Sequence, residues 1–361
     1  MQPFTCGIYF VRIFFVALCL TQFAAPAQAA ASTTAKTSVT TPPIERFQIG
    51  LWGNMPYGRN GDGTVDGPKI LALTQSMNTA KLAFTIFDGN TKDDSTPCTD
   101  QVLGADTLRM FNRLEAPAIY ALGDSEWTNC HHINNGSYNA LERLDFLRKT
   151  LYATDTSLGI QKLKVDRQGA PGLAYSENAR WEYGSIVFTT LNVPGHNNNK
   201  VDAGQCPDAK STRKQADCDQ DNAEYVDRNR HNLAWLGESF EFARYKHAAG
   251  IMIVMQADPG FDLPETENVN ERTATPNMDG YKNLLDFLAT QSRNFAGQVV
   301  LVHGGTRFFK IDKPLLDQAH MIRNFTRVET FGSPNLHWVR ATIDLKSPDV
   351  FNFEQMIVPG N

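Results

Sequence analysis

Side chains able to do chemistry gather in five short polar peptides, each following an apolar, β-rich run. They are Gly53-Asn54-Met55-Pro56-Tyr57, Asp88-Gly89-Asn90-Thr91-Lys92, Gly123-Asp124-Ser125-Glu126-Trp127, Gln256-Ala257-Asp258-Pro259 and His303-Gly304-Gly305-Thr306-Arg307. In open α/β sheets ligands sit at the carboxyl ends of strands, so a site is expected where these turns meet. The set carries three side-chain amides, Asn54, Asn90 and Gln256, beside four carboxylates, Asp88, Asp124, Glu126 and Asp258. Arg307 is charged at any accessible pH, and its planar fork can grip a phosphate, sulfate or carboxylate, or else turn outward or pair with Asp312 or another carboxylate. His196, in Pro194-Gly195-His196-Asn197-Asn198-Asn199, follows a further apolar run and reads as a general acid, a stray ligand or a turn histidine bonded to backbone. Trp127 reads as a stacking platform for a flat or sugar-like ligand, with core burial as the alternative.

The elements that must position these turns alternate along the chain. Phe47 to Trp52, Lys81 to Phe87, Ala118 to Leu122, Ser185 to Val193, Gly250 to Gln256 and Gln298 to His303 read as strands. Pro68 to Met77, Ala105 to Leu114, Asn139 to Tyr152, Asn222 to His247 and Asp279 to Arg293 read as helices between them. The longest helix spaces Val226, Leu233, Leu236, Phe240 and Ala243 at three, four or seven, which predicts one apolar stripe against a sheet. After His303 come only strands: Phe308 to Ile311, Phe325 to Thr330, His337 to Asp344 and Val350 to Val358. A series of β-α units closed by a β-meander predicts an α/β sandwich of two sheets with helices outside.

In their order, the five peptides resemble the motif series of the calcineurin-like metallophosphoesterases: D-x-H, G-D-x-x-D, G-N-H-[DE], a lone His after an apolar strand, and G-H-x-H. Tyr120 to His131 is similar to the Gly-Asp-Asn-Glu-Trp form of the third motif in a secreted branch, and Gly304 to Pro314 resembles that branch as well. The resemblance implies a four-layer α/β/β/α sandwich of two mixed sheets with flanking helices, and two divalent ions about 3.5–4 Å apart that activate water against a phosphoester. At the matching positions Asn54 and Pro56 replace Asp and His of the first motif, and Asn90 replaces the bridging Asp. Asp124 and Ser125 replace Asn and His of the third, where Glu126 is kept. Gln256 replaces His, and Gly305 and Arg307 stand where two ligands belong, beside His303. Asp124 is then the one carboxylate left at an aligned ligand position, too little anionic charge to hold two divalent cations together.

The first residues carry a single cation, Arg12, an apolar run from Ile13 to Leu20, and the small-residue site Ala27-Gln28-Ala29. This predicts a signal peptide over residues 1–29, the run being short of the roughly 20 residues that span a bilayer. Residues 30–43, rich in Thr, Ser, Ala and Pro, predict a flexible tether, and 44–361 one domain. The mature chain then keeps Cys98, Cys130, Cys206 and Cys218, which allow three pairings; Cys206 with Cys218 and Cys98 with Cys130 are favoured, and a zinc site lacks a Cys-x-x-Cys pair. A formal charge of -5 with scattered Lys and Arg offers no basic stripe for nucleic acid. Asn60, Asp62, Thr64 and Asp66 alternate as in a calcium loop, but Leu73 stands where the closing Glu belongs, so they read as a solvated turn. His131 and His132, next to Cys130, are further candidates.

Two functions of different class follow. One is an exported phosphoester hydrolase with an altered metal site from Asp124, Asn54, Asn90 and Gln256, in which Asp88, His196 or His303 assist and Glu126 orients a residue or water. The other is a noncatalytic descendant that binds an anion, a saccharide or an exported protein through Arg307, Asn54, Asn90 and Trp127.

Overall fold

Period-two alternation in the strands decides the layering. In β1 (Arg46–Trp52), Phe47, Ile49 and Leu51 point to one face and Trp52 to the other. This computed structural model describes residues 44–57, 64–261, 278–305, 307–317 and 320–361. The expected signal peptide and tether lie outside the described residues, as do Asn60 and Asp62.

The first sheet has the order β14-β13-β1-β2-β3, in which β13 (Trp338–Asp344) and β14 (Phe351–Met356) lie antiparallel to their neighbours and β2 (Thr85–Phe87) and β3 (Ala118–Tyr120) parallel to β1. The second has the order β4-β5-β6-β7-β8-β12-β9. Its central strands β6 (Ile186–Thr190), β7 (Gly250–Val254), β8 (Gln298–His303) and β12 (Phe325–Glu329) are parallel. Strands β4 (Asp166–Arg167), β5 (Ala179–Tyr183) and β9 (Lys310–Asp312) run antiparallel at its edges. β10 (Leu316–Asp317) and β11 (His320–Met321) form a separate ribbon.

The inner faces of both sheets share one core, in which Ile49, Ile86 and Ile343 meet Phe188, Met252 and Val300. Outside the first sheet, α1 (Pro68–Thr79), α2 (Thr107–Phe111) and α3 (Ala140–Leu151) bury Leu73, Phe111 and Leu147 against Trp52 and Tyr120. Outside the second, α5 (Gln215–Tyr245) and α6 (Lys282–Arg293) bury Leu236, Phe240 and Leu285 against Ile251, Ile253 and Leu301. The four-layer α/β/β/α sandwich of two mixed sheets is therefore present, each fully buried aliphatic or aromatic side chain contributing about 1.5–3 kcal/mol.

Two expectations are corrected. The last strands do not form one meander: β12 extends the parallel series beside β8, whereas β13 (Trp338–Asp344) and β14 (Phe351–Met356) form a hairpin beside β1 in the other sheet. The apolar stripe of α5 covers only its second half. Val226 is 64% exposed, and the buried face there is Asp221, Arg228, Asn229 and Asn232, because it packs on polar loops rather than on the sheet. Residues 179–183 form β5, whose Trp181 stacks on Phe188 in the inter-sheet core.

Candidate functional site

The strand-end turns are tied to one another by backbone before any side chain acts. Asn54 N–H donates to Gly89 O at 2.7 Å, joining the turn after β1 to that after β2. Gly89 has φ +96, and a Cβ there would lie 2.7 Å from the Gln256 side chain and 2.9 Å from Gly123 Cα, so only glycine lets three turns cross. Glu126 bridges the second and third turns, its carboxylate accepting from the backbone N–H groups of Thr91 and of Gly123, the latter at 3.1 Å. The Cys98–Cys130 disulfide joins the segments beyond those turns, and Cys206–Cys218 staples the excursion before α5.

Asn54, Asn90, Asp124, His196, Gln256 and Arg307 line one cavity of about 400 Å³, with Tyr57, Asp94 and Asp258 also on its wall. Sequence reasoning overlooked Asp94 and its partner Asn129; no signal in their local sequence marks them. The orientation of the amides decides what this cavity can hold. Gln256 Oε1 accepts from the backbone N–H of Gly195 at 2.7 Å and of Asp124 at 3.3 Å, and Asn90 Oδ1 accepts from Ser125 N–H at 3.1 Å. Backbone N–H groups only donate, so both amides are fixed with their oxygens turned onto protein. Asn54 Oδ1 accepts from the Tyr57 hydroxyl and from Asn90 Nδ2, both at 3.2 Å. Burial raises the Tyr57 pKa well above its ordinary value, so the phenol is a neutral donor.

Arg307 stands at the rim with its guanidinium carbon 4.8 Å from the Tyr57 ring centroid, a cation-π contact. Its sequence-level partner Asp312 is taken by Arg327, whose Nε donates at 2.7 Å. Among the described residues lining the cavity, Arg307 is the one Lys or Arg. Asp124 Oδ2 accepts from Asn129 Nδ2 at 3.3 Å and lies 3.6 Å from His196 Nδ1, which is 2.7 Å from Asn129 Oδ1. A proton on Nδ1 donated to that amide leaves Nε2 as the acceptor. Asn54 Nδ2 and Asp124 Oδ1 are buried without a partner among the described residues.

His196 owes its position to a short turn, α4 (Gly195–Asn198), of the wrong hand. His196, Asn197, Asn198 and Asn199 have φ of 48, 59, 58 and 61. Left-handed backbone costs roughly 1–2 kcal/mol per residue for most side chains and less for Asn, which explains three consecutive asparagines. The turn is held from α5: Arg228 donates to Asn198 Oδ1 at 2.6 Å, Asn198 O at 2.8 Å and Asn192 O at 2.9 Å.

Four candidates sit behind the cavity. Glu126 is fully buried and spent on the two loop N–H groups, and burial raises its pKa. Trp127 is fully buried with the Arg228 guanidinium 5.4 Å from a ring centroid, so it is core and cannot stack on a ligand. His303 is fully buried at the end of β8, with Nδ1 against Gly304 O. Asp88 is fully buried and accepts from Thr330 Oγ1 at 2.7 Å; burial outweighs that bond and raises its pKa well above the usual range.

His131 and His132 lie in the wall beyond His196. His131 Nδ1 is 2.8 Å from Ser211 Oγ, and burial, with Arg213 behind it, pushes its pKa down from 6.5 to about 3. A depressed histidine stabilises the fold fully above pH 6.5, and this contribution is lost as pH falls toward 3, at up to about 1.4 kcal/mol per pH unit. His131→Gln should therefore lose less stability than the parent between pH 7 and 4 in urea titrations; parallel losses would refute the assignment.

A pair of divalent cations does not fit these residues. The three amide oxygens face protein donors, Asp88 is buried against Thr330, and a guanidinium occupies the rim. Among the described residues no group of three or more His, Cys, Asp or Glu is placed to hold a metal ion.

No family model and no curated protein matches the chain. Among solved structures it is similar to GAP50, the anchor in the inner membrane complex of Plasmodium, at 10% identity and a TM-score of 0.42, over 88% of this chain and 90% of that one. It is similar to PhoD at 10% identity and a TM-score of 0.44, over 87% of this chain and 69% of that one. It is also similar to the sulfate thiohydrolase SoxB of Termus thermophilus in complex with glycerol, at 12% identity and a TM-score of 0.38, over 80% of this chain and 42% of that one.

Proposed function

We propose that the protein is an exported, noncatalytic binding protein whose cleft takes a small polar ligand by an anionic group. The observation that carries this reading is Arg307, a guanidinium held over Tyr57 at the rim with no carboxylate partner among the described residues. A fork of this kind makes paired, charge-assisted hydrogen bonds to phosphate, sulfate or carboxylate. The carboxylates of Asp93, Asp94, Asp124 and Asp258 on the same wall weaken the hold of Arg307 on a bare anion and favour a ligand whose remainder carries donors such as hydroxyls. Export is supported by two disulfides, which persist in oxidising compartments, and no described helix is long and apolar enough to cross a membrane.

The second reading, an exported phosphoester hydrolase, rests on Asp124 and His196, 3.6 Å apart beside the cleft. One pair of measurements separates the two. Calorimetry of the purified protein should show phosphate or sulfate binding and no tight uptake of zinc or manganese. A panel of phosphomonoesters and diesters should be left intact with or without those ions. Turnover that chelation removes and Asp124→Ala abolishes would establish the hydrolase and end the binding-protein reading.

A further inference from the structure

The cleft does not stop at His196. A second cavity of about 520 Å³ lies beyond it, and His196 and Asn197 line both spaces. The His196–Asn129 hydrogen bond stands at their junction. The far wall of the second chamber is the segment stapled by Cys206–Cys218, which contributes Pro207, Asp208, Ala209 and Arg213. Each volume is within the roughly 300–1,000 Å³ of ordinary small-molecule sites.

The two chambers differ in charge. In the second, the cations already have partners: Lys200 lies 2.8 Å from Asp202 and also pairs with Asp279, and Arg213 lies 2.8 Å from Asp221. His131 is neutral, because burial depresses it, and burial lowers His132 too. An anion would meet Asp208 there with no uncommitted guanidinium or ammonium to receive it. What remains is apolar surface from Val201, Pro207 and Ala209 beside the carboxylate of Asp208, the amide oxygens of Asn129 and Asn197 being already paired with His196 and with the backbone N–H of Gly280. A ring with one C–H face and a rim of hydroxyls matches that mixture, since the hydroxyls donate to the carboxylate and the face covers the apolar surface.

We infer that cleft and chamber together form one site for an anionic saccharide of at least two rings, its charged group at Arg307 and an uncharged ring beyond His196. The inference rests on the reading of the cleft as an anion site and adds the class of ligand.

The test is calorimetric titration of the intact protein with inorganic phosphate, glucose 6-phosphate, trehalose 6-phosphate and adenosine monophosphate. Trehalose 6-phosphate should bind at least tenfold more tightly than glucose 6-phosphate. Ala209→Trp, an exposed position in the chamber wall, should erase that difference and leave glucose 6-phosphate unchanged; Gln205→Trp, exposed on the same wall, is the second variant. Equal affinities for the two sugar phosphates, a preference that survives both tryptophans, or tighter binding of the nucleotide would overturn the inference while leaving the anion site in place. Affinities all unchanged by Arg307→Ala, or no binding of any probe, would overturn the cleft reading itself.

Discussion

Arg307→Ala is expected to weaken phosphate or sulfate binding by about 10- to 100-fold while leaving the midpoint of thermal unfolding within a degree or two. Hydrogen bonds to charged groups contribute about 1.5–3 kcal/mol each, and 1.4 kcal/mol is a factor of ten in affinity. The fold has little at stake, because the side chain is exposed and its described contact is the face of Tyr57. Arg307→Lys should fall between the two, keeping the charge and losing the fork. Raising ionic strength should weaken the parent and flatten its advantage over the alanine variant, since the rim is open to solvent. Titrations in which parent and alanine variant bind equally would remove the guanidinium from the site.

The layers of the sandwich were legible because strands such as Gly250–Val254 write their two buried faces as an unbroken apolar run, and helices such as Ala140–Leu151 carry their own stops. Asn139 caps the latter, its side chain accepting from Glu142 N–H at 3.0 Å. The strand-end turns were legible for the same reason: a polar Gly- or Asn-containing peptide after an apolar run has few other places to go. Sheet membership was not. Trp338–Asp344 pairs with Arg46–Trp52, almost three hundred residues earlier, and local pattern does not encode so distant a choice.

Nor did residue type reveal accessibility. Glu126 and Trp127 follow Asp124 by two and three residues, yet the backbone turns there so that Asp124 and Ser125 reach the cavity while Glu126 and Trp127 pack inward. The amides were legible as positions where the resemblance expects metal ligands, but not that their oxygens would be occupied. That depends on Gly195 and Ser125 presenting N–H groups from other turns. A neutral donor in place of an anion changes the site twice over: it removes charge that would hold a cation, and it becomes a strut between loops. The cleft is therefore rigid on the side where a metal centre would need ligands free to turn outward.

The polar half of α5 was the largest omission, and its signal was present: Asp221, Arg228 and Asn232 continue, at spacings of seven and four, the row formed by Leu236, Phe240 and Ala243. Arg228 is the residue in that row on which most depends. It is almost wholly buried, donates to Asn198 and Asn192, and pairs with Glu224 at 2.6 Å. Arg228→Ala leaves Glu224 and the carbonyls of a left-handed turn without their partner. Breaking a buried pair in this way costs about 3–5 kcal/mol, which for a domain of this size lowers the unfolding midpoint by roughly 5–7 °C. Arg230→Ala, two residues along the same helix, removes an exposed pair with Asp227 and should cost no more than about 0.5 kcal/mol. The buried variant should also release His196 from Asn129, seen as a shift of its ring resonances at temperatures where the protein remains folded. A loss below about 1 kcal/mol, or an unmoved His196, would mean that the asparagine turn holds its hand without help from α5.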